Sequence, residues 1–118
     1  MKKIQKNKQL LELLQLLKKT AIENKAAVWK RVASDLEKPT RRKRVVNIYK
    51  IEKYARDNEI VVVPGKVLGT GDLNKKVTVA AYNFSDEAFK KIKEKGNAIS
   101  IRELLEKNPH GKKIRLMG

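Results

Sequence analysis

The chain has 118 residues, and its 29 Lys and Arg against 13 Asp and Glu give a formal net charge of +16 at pH 7. This length fits one domain that can bury its own core, and so large a positive excess indicates a polyanionic partner, nucleic acid. The absence of cysteine excludes disulfides, thiolate zinc sites and thiol nucleophiles. The uninterrupted apolar stretches are far shorter than the roughly 20 residues of a transmembrane helix, so no membrane span is predicted, with a basic amphipathic membrane arm at the N-terminus as the alternative. The absence of cysteine suits a reducing cytoplasm, where we expect the protein.

Two helices are predicted near the N-terminus. Leucines recur at helical spacing over residues 9–21, and a second apolar stripe follows over residues 28–36, which Pro39 should end. Such stripes favour packing within a core, with a zipper to a partner helix as the alternative. Trp29 is also expected in the core, with stacking on a nucleobase as the alternative.

Strand signals begin after these helices. Residues 45–46 and the β-branched run 60–63 predict strands, and residues 75–82 predict another. Pro64-Gly65 is predicted to make a turn, and the small residues of 69–74 to form a loop. The connection between the second and third strands therefore reads as a compact, glycine-containing turn region.

Short helices are predicted between and after the strands. Asn47 and Ser85 are candidate N-caps, Gly96 is the expected left-handed stop, and Ser100 with Glu103 forms a capping box. The helix after Ser85 is expected to face the core with Ala88, Phe89 and Ile92. The order of signals predicts a single domain of mixed α/β class, divided into N-terminal helices (1–37), a basic linker (38–44), a mixed α/β core (45–106) and a basic tail (107–118).

No catalytic constellation is visible. His110 is the single histidine and has no orienting partner in the sequence, so a structural or RNA-contacting role is expected for it. The acids are scattered among lysines and predict no metal site. The stretch 64–71 superficially suggests a phosphate loop, but Val67 stands where a Walker A loop needs Ser or Thr. We predict no catalytic residue, no metal and no cofactor.

Three basic segments are the candidate RNA contacts. The linker 38–44 has five basic groups in seven residues and no acid, and the tail carries four more. The glycine loop is flanked by lysines, and its backbone is expected to approach phosphates, with a hairpin bearing solvated lysines as the alternative. Solvated surface is likewise the alternative for the linker, and we expect the tail to be mobile until it meets RNA. The predicted RNA-binding residues are Arg41, Arg42, Lys43, Arg44, Gly65, Lys66, Gly69, Lys75, Lys76, Lys112, Lys113 and Arg115.

The run 45–85 resembles a known family. Residues 63–69 (VPGKVLG), 75–79 (KKVTV) and the ending 108–118 are similar to the archaeal and eukaryotic large-subunit ribosomal protein eighteen-e family, kin to bacterial large-subunit ribosomal protein fifteen. The resemblance implies N-terminal helices before a small irregular ββα core. It also implies a structural role on large-subunit rRNA beside neighbouring ribosomal proteins, with no catalysis, cofactor or small-molecule substrate. The alternative is a free-standing DNA- or RNA-binding module that uses residues 9–55 as a helical reader.

Overall fold

A computed structural model describes residues 2–38 and 44–117, with side chains over 8–38 and 45–117. Residues 39–43 of the predicted basic linker lie outside the described part, as do both terminal residues. Within the described ranges the chain forms five helices and five strands, and the predicted mixed α/β class with helices first is confirmed. The elements are α1 (Lys2–Asn24), α2 (Ala27–Leu36), β1 (Arg44–Asn47), α3 (Ile48–Tyr54), β2 (Ile60–Leu68), β3 (Thr78–Phe84), α4 (Asp86–Lys95), β4 (Asn97–Ser100), α5 (Ile101–Lys107) and β5 (Ile114–Leu116).

The strands form one sheet in which every pairing is parallel. β2 is central: β3 lies along one of its edges, while β1 and β5 share the other, β1 beside its second half and β5 beside its first. β4 pairs with the far edge of β3. Because parallel neighbours need crossover connections, the chain must return along a face of the sheet between strands.

Helices cover both faces of the sheet. Successive side chains of a strand point to opposite faces, so Val61 and Val63 face one side and Val62 the other. The first face packs against α3, α4 and the connection 69–77, through residues such as Ile48, Ile51, Leu73, Val77, Ala88 and Ile92. The second face packs against α1, α2 and α5, through Leu14, Leu17, Trp29, Val32, Leu36, Ile101 and Leu104. The predicted N-terminal helices are thus one wall of the core.

The prediction of a turn at Pro64-Gly65 is wrong. β2 runs through both residues and both are buried. Between Val63 and Lys66 the strand advances three residues while its partner β3 advances two, from Ala81 to Asn83, so one extra residue bulges from the ladder. Proline lacks an N–H and is accommodated at such a bulge without losing a ladder bond.

The connection 69–77 joins parallel strands, so the alternative of a hairpin is also wrong. Ile60, at the start of β2, pairs with Thr78, at the start of β3, and β2 ends eight residues after Ile60. Between the end of β2 and the start of β3 the chain must therefore travel back by about 26 Å. The ten steps from Leu68 to Thr78 span at most about 33–36 Å, so the connection is nearly extended. It buries Leu73 and Val77 against the first face.

Two of the predicted helix caps are confirmed. Ala88 N–H donates to Ser85 Oγ over 3.1 Å, and Glu103 N–H donates to Ser100 Oγ over 3.0 Å. Asn47 occupies the N-cap position of α3, but its side chain accepts no capping hydrogen bond.

Two details of α4 differ from prediction. Phe89 does not face the core, because 43% of it is exposed. Gly96 is not left-handed, since its φ is −143°. A Cβ at Gly96 would overlap the carbonyl oxygen of Val77, so close approach of two backbones, and not a left-handed turn, requires glycine there.

The segment predicted as a basic tail joins the sheet as β5. Met117 N–H donates to Val62 O over 2.9 Å, and the Met117 side chain is buried. Trp29 lies fully in the core as predicted, and its indole N–H donates to Pro109 O over 2.8 Å. Apolar side chains of β5 pack on the second-face cluster, which explains why this short strand docks although it is too small to fold alone.

Candidate nucleic-acid interface

Basic residues precede four of the strands. Because the strands are parallel, their beginnings meet at one side of the sheet, which we call the amino edge. Arg56 precedes β2, Lys76 precedes β3, Lys95 precedes β4, and Lys112 and Lys113 precede β5. All five side chains are exposed. The topology thus gathers charges that are up to 57 positions apart in sequence.

A cleft of about 350 Å³ lies between two of these lysines. Its floor is the close approach of Gly96 to Val77, fixed by a 3.0 Å hydrogen bond from Asn97 N–H to Val77 O. This backbone contact brings the beginnings of β3 and β4 together. The cleft is lined by Asn58, Lys76, Val77, Thr78, Lys95, Gly96 and Asn97.

Acidic side chains near the amino edge already have partners. Asp57 Oδ1 accepts the backbone N–H of Lys76 over 3.0 Å. Glu59 accepts Nε and Nη2 of Arg115 over 2.8 and 3.2 Å, and the backbone N–H of Arg56 over 2.9 Å. These bonds, that of Arg115 first, lower the pKa of Glu59 from its ordinary value.

The lysines of the edge are different. In the part of the chain that the structure describes, no carboxylate pairs with the ammonium groups of Lys76, Lys95, Lys112 or Lys113. Unpaired cations at neighbouring strand ends repel one another unless an anion lies between them. The amino edge is therefore a surface suited to phosphate groups.

Two predicted site residues are engaged inside the protein. Lys75 Nζ donates to Ala55 O over 2.7 Å, at the end of α3 where backbone carbonyls lack helical partners. Arg115 is held by Glu59, and its hydrogen bond to that carboxylate raises the pKa of the guanidinium. Both side chains fix the shape of the edge.

Of the remaining predicted residues, Arg44, Gly65 and Lys66 lie toward the opposite end of β2. Gly65 is buried and pairs with Arg44, whose side chain lies outside the described part together with Arg41, Arg42 and Lys43. Lys66 is exposed. The structure thus separates the described members of the predicted set into two groups at opposite ends of the central strand.

Gly69 has an internal reason to lack a side chain. A Cβ there would come within 2.7 Å of Glu87 Cβ in α4. Its carbonyl oxygen accepts Lys91 Nζ over 2.7 Å, which ties the connection to α4. Packing against α4 therefore requires glycine at this position whether or not RNA approaches.

Lys95 and Arg56 were missed by the sequence analysis. Lys95 immediately precedes Gly96 and β4, a four-residue strand too short to stand out between two capped helices. Arg56 lies just before residues 60–63, the strongest strand signal in the chain. A basic residue shortly before a predicted strand is the sequence feature that could have identified both Arg56 and Lys95.

The described residues offer neither a metal site nor a membrane-spanning helix. Over residues 8–38 and 45–117, no three His, Asp or Glu side chains are grouped as a metal ion requires. His110 is exposed. None of the described helices is both long and apolar enough to cross a bilayer.

Fold and edge together define a small basic α/β protein that presents a cationic surface on one side of a parallel sheet. A family described as ribosomal proteins 50S-L15, 50S-L18e and 60S-L27A matches residues 24–100. The chain belongs to this family, and it is therefore a ribosomal protein of the large subunit.

Curated relatives cover nearly the whole chain. The large ribosomal subunit protein eL18 of Archaeoglobus fulgidus is 51% identical over 94% of this chain and 96% of its own length. The protein of the same name from Haloarcula marismortui is 48% identical over 94% of this chain and 96% of its own. That of Methanococcus maripaludis is 44% identical over 99% of both. The family resemblance of the sequence is confirmed.

Proposed function

We propose that the amino edge binds phosphate groups of large-subunit rRNA and thereby holds neighbouring RNA segments in register. The observation that carries this proposal is a set of four ammonium groups at the beginnings of β3, β4 and β5 that have no carboxylate partner among the described residues. Binding displaces condensed counterions from the RNA, and the phosphates relieve repulsion between the lysines. The protein acts as a structural constituent of the cytoplasmic ribosome and not as an enzyme.

The width of the edge suits several phosphates. From β5 to β4 the sheet spans three strand spacings, which is about 14 Å. Among the described residues, the cleft at this edge is lined by two lysines, small polar residues, Val77 and Gly96, and its lining holds no aromatic ring for stacking on bases. Contacts of this kind position an RNA without reading its sequence. We therefore assign shape and backbone recognition to this surface.

A second contact is proposed at the other end of β2. There the basic linker enters β1 through Arg44, whose neighbour in the sheet is Gly65, and exposed Lys66 follows. In this assignment Arg41, Arg42, Lys43, Arg44 and Lys66 contact phosphate directly, as Lys76, Lys112 and Lys113 do at the amino edge. Gly65, Gly69, Lys75 and Arg115 shape the two surfaces. Two cationic ends joined by one rigid strand would bridge separate RNA segments, with other ribosomal proteins adjoining.

The test removes three charges at the amino edge. The triple variant Lys76→Gln, Lys95→Gln, Lys113→Gln is titrated with deproteinised large-subunit rRNA at several salt concentrations. Each lost phosphate contact reduces the slope of log affinity against log salt by about 0.7–0.9, so we expect a reduction of about 2–3. The free energy of unfolding should change little, because all three side chains are exposed.

A matched control removes the same charge elsewhere. Lys19→Gln, Lys30→Gln, Arg31→Gln neutralises three exposed cations on α1 and α2. It should leave the salt slope within about one unit of the parent. Equal losses in both triple variants would mean that net charge alone governs binding, and the amino edge would lose its assignment.

A further inference from the structure

The outer side of α3 presents two tyrosines to solvent. Tyr49 is 57% exposed and Tyr54 is 51% exposed. Ile48 and Ile51 of the same helix are fully buried against the first face of the sheet. The helix therefore packs through one side and leaves both aromatic rings away from the core.

Two lysines lie between these tyrosines. Successive residues of an α-helix turn by about 100°, which places Lys50 and Lys53 between the two rings on the outer side. Lys50 is partly exposed and Lys53 is exposed. Lys53 Nζ lies 5.4 Å from the centroid of the Tyr54 ring, and that ring is half exposed despite this contact. We call Tyr49, Lys50, Lys53 and Tyr54 the α3 face.

The surroundings of the α3 face carry an excess of positive charge. Residues 49–57 and 70–76 include five basic side chains and three acidic ones. Glu52 Oε1 and Asp57 Oδ1 each accept a backbone N–H of the connection between β2 and β3, over 2.9 and 3.0 Å. The third acid, Asp72, is exposed. Because two of the three carboxylates are engaged by backbone, the charge around the helix favours an anionic ligand.

Both ends of α3 are fixed to the same connection. Tyr49 N–H donates to Thr70 O over 3.0 Å at the first turn, and Lys75 Nζ donates to Ala55 O over 2.7 Å directly after the last. The two rings therefore belong to an element that is held at both ends and along its buried side. Binding to such a preorganised surface costs less conformational entropy than binding to a mobile loop.

The α3 face adjoins the amino edge. The helix ends at Tyr54, and Arg56, two residues later, precedes β2 as part of that edge. A polyanion on the amino edge therefore has the α3 face beside it. Lysines are depleted at protein–protein interfaces, whereas cations together with aromatic rings form the surfaces on which single-stranded nucleic acids stack. The lysines between the rings thus favour RNA over a protein as the occupant.

We propose that the α3 face binds unpaired nucleotides of large-subunit rRNA. Tyr49 and Tyr54 each stack on a nucleobase, and Lys50 and Lys53 pair with the phosphates between the stacked bases. This inference rests on the proposed function, because it concerns the same RNA. It adds a second kind of contact: the amino edge holds phosphates, whereas the α3 face selects nucleotides outside duplexes, since a base inside a duplex has no free face.

The first experiment separates stacking from charge. The double variant Tyr49→Ala, Tyr54→Ala is titrated with deproteinised large-subunit rRNA at several salt concentrations. Loss of two stacked bases should weaken binding about thirtyfold or more at each salt concentration. The slope of log affinity against log salt should stay within about one unit of the parent's, because no cationic side chain is removed.

Two controls accompany this variant. Tyr49→Phe, Tyr54→Phe keeps both rings and should bind within about threefold of the parent. Ile22→Ala, at a 78% exposed side chain of α1, should bind as the parent does. Chemical denaturation of each variant establishes that folded proteins are compared. Should the double alanine variant fail to fold, Tyr54→Ala replaces it, with an expected loss of about fivefold or more.

The second experiment identifies the occupant in the assembled subunit. Full-length chains with Tyr54→p-benzoylphenylalanine are assembled into large subunits, washed in high salt and irradiated. The crosslink should form to rRNA, and primer extension should place it at a nucleotide outside the duplexes. A crosslink to a protein or to a base-paired nucleotide, or no crosslink, would overturn this inference.

The titration can overturn it independently. A double alanine variant that binds as tightly as the parent, or a double phenylalanine variant that binds as weakly as the double alanine variant, would show that the rings do not stack on bases. The triple Lys→Gln variant of the amino edge is measured in the same titration. Its reduced salt slope would leave the proposed function standing in each of these cases, whereas an unchanged slope would count against the proposed function itself.

Discussion

Lys95 and Gly96 are adjacent residues with separate tasks at the amino edge. The lysine is exposed and has no carboxylate partner within the described part of the chain, whereas the glycine lets two backbones come into close contact in the lining of the cleft. Gly96→Ala would drive a Cβ into the Val77 carbonyl, and we expect it to reduce the free energy of unfolding by about 2–4 kcal/mol. Lys95→Ala should change stability by less than about 0.5 kcal/mol and weaken RNA binding instead. Chemical denaturation and RNA titration of both variants measure this split, and a Gly96→Ala protein as stable as the parent would contradict it.

The ion pair of Glu59 with Arg115 predicts a pH dependence. The folded-state pKa of Glu59 lies below its unfolded value, so the unfolded chain binds more protons across that window. The stabilisation is therefore present at neutral pH and is lost as the pH falls below about 4.5 and through the lowered pKa. Glu59→Gln should be less stable than the parent near pH 7, and the difference should shrink toward pH 2. Glu94→Gln serves as the exposed control, and a difference that grows on acidification would contradict the account.

At the scale of elements, β5 holds the C-terminal segment against the sheet. Its pairing with β2 and the hydrogen bond from Met117 N–H to Val62 O predict protection of this segment in the free protein. We expect amide exchange over residues 114–117 at least about a hundredfold slower than in an unstructured chain. Exchange at the unstructured rate without RNA, with protection appearing only in the assembled subunit, would restore the expectation of a mobile tail.

Trp29, on α2, links the C-terminal segment to the N-terminal helices through its hydrogen bond to Pro109 O. Trp29→Phe removes the indole donor to Pro109 O and some buried volume, and we expect a loss of about 1–2 kcal/mol. Exchange over residues 114–117 should accelerate in this variant. Tyr54→Phe, at a half-exposed ring, is the control and should have little effect. An unchanged exchange rate in Trp29→Phe would show that the tail docks independently of this bond.

Elements were predictable from sequence where their determinants are local. Ser85 and Ser100 predicted the starts of α4 and α5 correctly, because a capping side chain hydrogen-bonds to a backbone N–H only three residues further along the chain. Pro64-Gly65 was predicted as a turn because bulges and turns use the same residue types. Only the pairing of β2 with β3 distinguishes the two. The C-terminal segment was predicted to be mobile because the residues that hydrogen-bond to it, Trp29 and Val62, are distant in sequence. The candidate interface could be predicted only in part. The sequence shows which residues are basic, but which of them lie at the same end of β2 depends on the order of the strands in the sheet.

At the scale of the whole molecule, the net charge of +16 opposes folding of the free protein. Salt screens this repulsion, since the Debye length falls from about 10 Å at 0.1 M to about 3 Å at 1 M. We expect the Tm of the free protein to rise by about 3–6 °C between 0.05 and 0.5 M KCl. The rise should be smaller in the triple Lys→Gln variant of the amino edge. A Tm that falls with salt would show that attractive pairs outweigh the repulsion.

The central claim concerns which surface meets RNA, and a map of the assembled large subunit measures it most directly. The quantity is the distance from each Nζ of Lys76, Lys95, Lys112 and Lys113 to the nearest phosphate oxygen. We predict distances within about 4 Å for at least three of the four, the range of an ion pair. An amino edge that faces solvent or is covered by another protein, with these lysines far from any phosphate, would contradict the account.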